Sequence, residues 1–366
     1  MRLSADPAAR RRLALLGAGA LLALIVGLVA GAGGGGGTDE PQSAPAVRQA
    51  QAAVDGLSLR QQVGQLTISS FQGTAVPGWL RRRLGAGETA GVILFGFNAT
   101  TPQGWRDLTR AIQRGARAGA LVMADQEGGD VRSVGWAGPP VGQPLQGTPD
   151  QVRSSARAAA RELRSAGVNV NLAPVADTPA GVMASRAFSR QVGPSTQAAV
   201  EGMWSAHLAA TAKHFPGLGG ATVNTDDAGA TASPELGPFR AAIRSRVGLI
   251  MLSHALYPDL DADRIASQSP RIATGLLRDE LGFDGVVVTD SLEAQAVLAR
   301  SGVADAAERS VRAGADLILM TGSASWNEVF PRLLETARRS RAFRERVRRS
   351  AARVLELKRR LGLELP

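Results

Sequence analysis

The chain has 366 residues, 44% of them hydrophobic, a formal charge of +10 and no cysteine. That length suits one α/β barrel of about 250 to 300 residues with extensions, and the missing cysteines exclude a disulfide framework, a thiolate metal site and lipid attachment through cysteine. The charge would suggest nucleic acid, but residues 338–360 hold ten arginines and Lys358 against Glu345 and Glu356. With the N-terminal arginines also set aside, the remainder is slightly acidic, so no nucleic-acid partner is expected. The three histidines, His207, His214 and His254, are far apart in sequence, and neither a metal site nor another cofactor is expected.

Taken in order, Arg2 and the arginines at 10–12 precede an uncharged apolar run over residues 13–32. That run is long enough to cross a hydrocarbon core of roughly 30 Å. Ala30-Gly31-Ala32 has the small-x-small form of a cleavage site. Residues 1–32 therefore read as a signal peptide or a signal anchor that would hold the protein to the membrane if uncleaved. Either one exports the remainder of the chain, because the arginines stay inside. Residues 33–49 read as a flexible Gly-rich linker, and residues 50–366 as the folded domain.

Continuous apolar runs, the pattern of strands buried on both faces, recur at residues 66–71, 91–98, 120–125, 168–175, 211–215, 249–254, 285–290 and 317–321. Helical patterns lie at 57–65, 102–118, 149–166, 194–209, 236–247, 272–281 and 291–313. Eight strands alternating with helices predict an α/β fold of the (β/α)₈ TIM-barrel type, and no G-x-G-x-x-G after the first strand suggests a dinucleotide fold. Phe343, Val347, Ala351 and Val354 recur at helical spacing through the basic C-terminal segment. This predicts a terminal helix packed along one stripe with its arginines solvated; contact with anionic wall polymer or lipid headgroups is the minority reading.

Chemistry in such a barrel sits at the C-terminal ends of the strands, which singles out Asn98, Asp125, Asp177, Lys213, His254 and Asp290. The stretch over residues 211–227 is the most informative. Pro216 ends a strand, and Gly217, Gly219 and Gly220 permit a loop that approaches a ligand closely. On a regular strand Lys213 and His214 point to opposite faces. Lysine occurs only at 213 and 358, against 40 arginines. Its use at 213 suggests a need for a compact ammonium donor.

Lys213-His-Phe-Pro-Gly-Leu-Gly219 resembles the KHFPGHG signature of family 3 glycoside hydrolases, in the bacterial β-N-acetylhexosaminidase branch. Three further segments share the resemblance: Asp125-Gln-Glu-Gly-Gly129 is similar to the DQEGG loop, Ser185-Arg-Ala-Phe-Ser189 to R-S-F-G, and the strand ending in Thr289-Asp290 to the nucleophile motif. The resemblance spans nearly all of the barrel and implies a carbohydrate substrate, with Asp290 as nucleophile. It also implies that Asp125, Arg186, Lys213 and His214 bind the sugar. From the residues alone, Asp290 could instead cap a helix starting at 291 or 292. For His254, a satisfied structural histidine and a substrate contact remain equally open.

The departures are as informative. The branch follows its signature with D-x-H, an acid/base dyad; here the same spacing gives Asn224-Thr-Asp226, and Leu218 stands for the histidine of KHFPGHG. Asp130-Val-Arg-Ser133 replaces R-V-Q-R, which leaves Ser133 at the position of a sugar-binding arginine and Arg132 beside it. A carboxylic acid with a raised pKa can replace the dyad, and Asp226 is the first candidate, Asp227 the second. The β-glucosidase branch often takes its acid/base from a second domain, for which this chain is short. The expectation is an exported retaining β-N-acetylhexosaminidase acting on amino-sugar glycans such as peptidoglycan fragments. The alternatives are a glycan-binding barrel without efficient hydrolysis and a hydrolase of another β-glycoside.

Overall fold

The computed structural model describes residues 44–322 and 324–366. The expected signal segment, residues 1–32, lies outside the described residues. Among the described residues, no helix is long and apolar enough to cross a membrane. Helix Ala44–Asp55 begins inside the stretch expected to be linker, so the expectation of a linker reaching residue 49 is corrected. The barrel and its helices lie within one compact unit, Val47–Pro366.

Eight parallel strands form the barrel: β1 Thr67–Ser69, β2 Gly91–Ile93, β3 Leu121–Ala124, β4 Val170–Asn171, β5 Ala209–Phe215, β6 Leu249–Leu252, β7 Val286–Thr289 and β8 Ile318–Leu319. Their order is β7-β6-β5-β4-β3-β2-β1-β8. The seam between β7 and β8 is bridged at Val288–Leu317, with Thr289 N donating to Leu317 O at 3.0 Å. The ring is thus nearly closed, as the alternation of apolar runs and helices predicts.

The double burial of each strand is visible in two cores. Ile93, Met123, Leu172, Met251, Val286, Val288 and Leu319 point inward and fill the barrel. Val92, Val122, Ala124 and Val287, their alternates, pack outward against the helices. Local signals start the helices: Thr148 caps Pro149–Ser165 through a capping box with Gln151. Thr101 caps Pro102–Gly115, whose first position is proline.

Three expectations need correction. The helix expected over 291–313 is two helices, Gln295–Leu298 and Val303–Ala313. Residues 291–294 turn instead because Glu293 is drawn to the end of β8, where it accepts from Thr321 N at 2.9 Å and from the Ser325 hydroxyl. The C-terminal basic segment belongs to two helices, Trp326–Arg339 and Arg341–Arg360, and its apolar stripe is buried as expected. Its arginines, however, are not all solvated. Asp316, fully buried, accepts from Arg346 at 3.0 Å and Arg353 at 3.3 Å of that segment, and from Arg278. Burying a lone carboxylate is costly, and these cations with Ser350 and the Val287 amide compensate it.

Candidate active site

A cavity of about 690 Å³ opens at the C-terminal ends of the strands. Asp125, Arg186, Lys213, His214, Asp226 and Asp290 all line it, over a floor of Ile93, Leu172, Met251 and Leu319 from the barrel core. That volume lies in the usual range of small-molecule sites.

The loop after β3 supplies three of its carboxylates, Asp125, Glu127 and Asp130. Gln126 pins this loop, donating to the carbonyls of Ala137 and Gly138 at 2.9 Å and accepting from Val134 N at 3.0 Å. Asp125 and Glu127 flank it two residues apart and so face the same side. Gly128 follows at φ 110°, where an added Cβ would meet Val141 O at 2.4 Å.

Lys213 joins the two, with its Nζ 2.7 Å from Asp125 Oδ1 and 2.8 Å from Glu127 Oε1. Arg186 grips Glu127 with both ends of its fork, at 3.0 and 2.6 Å. Burial alone would raise the Glu127 carboxyl, but Lys213 and Arg186 outweigh it and push it down to about 2. Burial would likewise lower the Lys213 ammonium; Asp125 and Glu127 instead hold it above the usual lysine range. Glu127 is thus the centre of a charge network, and its role was not anticipated. Its i, i+2 spacing from Asp125 is the signal that could have found it.

Lys213 and His214 both line the cavity, contrary to the opposite faces expected of a regular strand. The pairing of β5 with β6 shifts register between Ala212 and Phe215. Strict alternation therefore does not hold across this dipeptide. Asp177, wholly buried, accepts from His214 N at 3.1 Å and Leu218 N at 2.7 Å, and lies 2.7 Å from His214 Nδ1. With the proton on Nδ1, Nε2 is turned toward Asp290 Oδ2, 3.9 Å away.

Asp290 follows β7, and its Oδ1 accepts from Ser291 N at 2.8 Å. No helix starts at 291 or 292, so the capping alternative falls away. Burial would raise the Asp290 carboxyl, but His214, His254, Lys213 and the Ser291 amide together hold it below the usual carboxylate range. His254 lies under the segment rather than in the cavity. Its Nδ1 is 2.7 Å from the Ser267 hydroxyl and its Nε2 2.9 Å from Ser291 O. Both nitrogens are satisfied, which favours the structural alternative: His254 fixes the backbone beside Asp290.

Asp226 stands at the rim, exposed on one side. Crowding by the surrounding protein, reinforced by the charge of Asp290, raises its carboxyl above the ordinary range. Asn224 Oδ1 accepts from Asp226 N at 3.2 Å, and its amide is 3.5 Å from Asp226 Oδ2. The loop is tied to the segment after β7 by Gln295 N donating to Asp226 O at 3.1 Å. Asp227 does not line the cavity. Leu218 is buried in the outer core, where the resemblance leads one to expect histidine. Asp130, Arg132 and Ser133 line the cavity together, so Arg132 reaches it despite the altered spacing.

The strand-end rule overreached at Asn98, Asp177 and His254, none of which lines the cavity. Asn98 is buried and bonded to Phe71 O and Gly73 O. Among the described residues there is no group of three or more His, Cys, Asp or Glu arranged to hold a metal ion.

A parallel eight-stranded barrel with paired carboxyls in a cleft at its strand tips is the architecture of a glycoside hydrolase. Residues 58–357 match the family described as the glycosyl hydrolase family 3 N-terminal domain, and the chain belongs to that family. It is 34% identical over 280 residues to a β-hexosaminidase of Stenotrophomonas maltophilia strain K279a, covering 70% of this chain and 83% of that one. It is 33% identical over 297 residues to a secreted glycosyl hydrolase of Arthroderma benhamiae, covering 73% and 83%. Among solved structures, a family 3 β-N-acetylglucosaminidase from Paenibacillus sp. strain FPU-7 superposes with a TM-score of 0.79 at 33% identity. That match covers 84% of this chain but 63% of the longer Paenibacillus protein.

Proposed function

We propose that this glycoside hydrolase is an exported retaining β-N-acetylhexosaminidase that acts on amino-sugar glycans, peptidoglycan fragments among them. Asp290 is the nucleophile and Asp226 the acid/base. The observation that carries the reading is the opposite displacement of two carboxyls in one cavity, Asp290 down and Asp226 up. Displacement in opposite directions suits the two roles, a nucleophile that ionises readily and an acid that holds its proton longer.

The chemistry follows in two steps. Asp290 attacks the anomeric carbon while the glycosidic bond breaks, and the leaving oxygen takes the proton of Asp226. The resulting Asp226 carboxylate then removes a proton from water, the water oxygen bonds the anomeric carbon, and Asp290 leaves as carboxylate. In this reading Asp125, Lys213, His214 and Arg186 hold the sugar, with Arg186 braced by Glu127. The arginines and apolar run of residues 1–32, together with the secreted relative, support export.

A second reading, a glycan binder without efficient turnover, is favoured by Leu218 and by the absence of a histidine at 226. One assay separates the readings. The protein lacking residues 1–46 is incubated with an aryl N-acetyl-β-glucosaminide and with the matching β-glucoside. Hydrolysis of the first alone is expected. Hydrolysis of the second alone would make the protein another β-glycosidase, and hydrolysis of neither would leave the binder.

A further inference from the structure

Glu293 lines the cavity three residues after Asp290, but its oxygens are taken up by neighbours. Oε2 accepts from the Ser291 hydroxyl and the Thr321 amide, each at 2.9 Å, and from the Thr321 hydroxyl at 3.2 Å. Oε1 accepts from the Ser325 hydroxyl. Four donors fill the lone-pair positions of a carboxylate, which leaves it little capacity for a ligand. Ser291 lies on the segment after β7, whereas Thr321 and Ser325 follow β8. Glu293 therefore laces the seam of the barrel at its catalytic end, where β7 and β8 are joined by the isolated Val288–Leu317 bridge.

Both carboxyls assigned to the chemistry depend on the segment that Glu293 holds. On one side the Ser291 amide donates to Asp290 Oδ1 at 2.8 Å, so the placing of Ser291 sets the direction of the Asp290 oxygens. On the other, Gln295 N donates to Asp226 O and Ala296 N to Thr225 O, both at 3.1 Å. Thr225 is buried, and through these bonds the loop carrying Asp226 rests on residues 295 and 296. Residues 290–296 thus connect the two carboxyls, and the Glu293 side chain pins the middle of that connection to the end of β8.

We propose that Glu293 is a positioning residue that fixes the separation and relative orientation of Asp290 and Asp226. The inference rests on the reading of those two as nucleophile and acid/base. One carboxyl must reach the anomeric carbon while the other reaches the leaving oxygen, so a small change in their spacing costs rate more than binding.

The full chain is compared with its Glu293→Ala, Glu293→Gln and Ser291→Ala variants on an aryl N-acetyl-β-glucosaminide. Glu293→Ala should lower kcat about 10²-fold and change KM by less than about threefold. Glu293→Gln should recover most of that loss, because its oxygen still accepts from Ser291 and Thr321 and the Ser325 hydroxyl can turn to accept from its nitrogen. Ser291→Ala, which removes the hydroxyl link and keeps the amide, should lower kcat about tenfold. A second readout needs no turnover: titration of the Asp290 and Asp226 carboxyls by carbon-13 NMR. In Glu293→Ala, Asp290 should titrate at higher pH as the Ser291 amide moves off, and Asp226 at lower pH as it separates from the Asp290 charge. The charged groups around the pair, Lys213, Arg186, His214 and His254, are not substituted. A loss confined to KM, a Gln variant as impaired as the Ala variant, or unchanged titrations would overturn the proposal. Should Glu293→Ala fail to fold, wild-type kcat in Ser291→Ala overturns it. Inertness of the unsubstituted protein refutes the hydrolase reading instead, and the titrations still decide the positioning.

Discussion

The two lysines of this chain occupy opposite ends of the barrel and meet opposite fates. Lys213, at the strand tips, is buried between Asp125 and Glu127 and stays charged. Lys358, on the last helix, is buried at the end where the strands begin, beside Gln65, Ala90 and Ala120. Its hydrogen-bond partner is the Gln65 side-chain carbonyl at 2.9 Å, and burial pushes its pKa down to about 7. Burial is near complete in both cases, so the difference comes from the neighbours. Two carboxylates hold a cation in the interior; an amide does not. The same contrast separates Asp316, surrounded by arginines at the closed end, from Asp290, whose oxygens face an open cavity. Pairing thus follows each group's neighbours rather than the end of the barrel: Lys358 lacks a carboxylate at the end where Asp316 has three arginines, and Asp290 faces the cavity at the end where Lys213 is paired.

The contrast breaks most severely at Asp290. Asp290→Ala should lower turnover by at least about 10⁴-fold while the midpoint of thermal unfolding changes little, since the residue faces the cavity. Steady-state kinetics beside a melting curve check this, and wild-type turnover in the variant would remove Asp290 from the chemistry.

Glu127→Gln should do what Asp290→Ala does not, and damage stability as well as binding. It leaves Arg186 without its fork partner and Lys213 with one carboxylate, at a cost of about 3–5 kcal/mol. The Glu127 carboxyl is held at about 2 against an ordinary 4.5. Its stabilisation is therefore present above about pH 4.5 and lost as pH falls through about 2. Denaturant titrations should show the variant and wild type converging as acid is added across that window.

At the other end the sign reverses. Lys358→Met should stabilise the protein by about 1–4 kcal/mol near neutral pH, less the loss of the bond to Gln65. The folded-state pKa of about 7 lies below the ordinary 10.5, so wild-type stability rises between those values as the unfolded chain alone holds the proton. The advantage of the variant should be full below about pH 7 and vanish toward about pH 10.5. A constant difference across that range would mean that Lys358 is not titrating in the interior.

Much of the barrel is legible in the sequence because its strands are buried on both faces. A short apolar run such as Val286–Val288, β-branched throughout and bounded by turn residues, reads as a doubly buried strand. The motifs likewise lead to Asp125, Arg186, Lys213, His214 and Asp290, which the fold gathers in one cavity. The features that stay hidden depend on contacts between distant residues. The turn at 291–294 requires Glu293 to reach Thr321 and Ser325. The partial burial of the C-terminal arginines requires Asp316, some thirty positions before Arg346. The common orientation of Lys213 and His214 is invisible because period-2 alternation fails there.

The central claim, that Asp290 and Asp226 divide the work of a retaining hydrolysis, is tested most directly in the Asp226→Ala variant. With an activated aryl N-acetyl-β-glucosaminide the first step needs no acid, whereas the second has lost its base. The glycosyl ester should therefore accumulate, and acid quenching followed by peptide mass spectrometry should find one N-acetylhexosamine on Asp290. Added azide should discharge it and restore part of the turnover. No adduct during continuing turnover, or an adduct on another residue, would contradict the account.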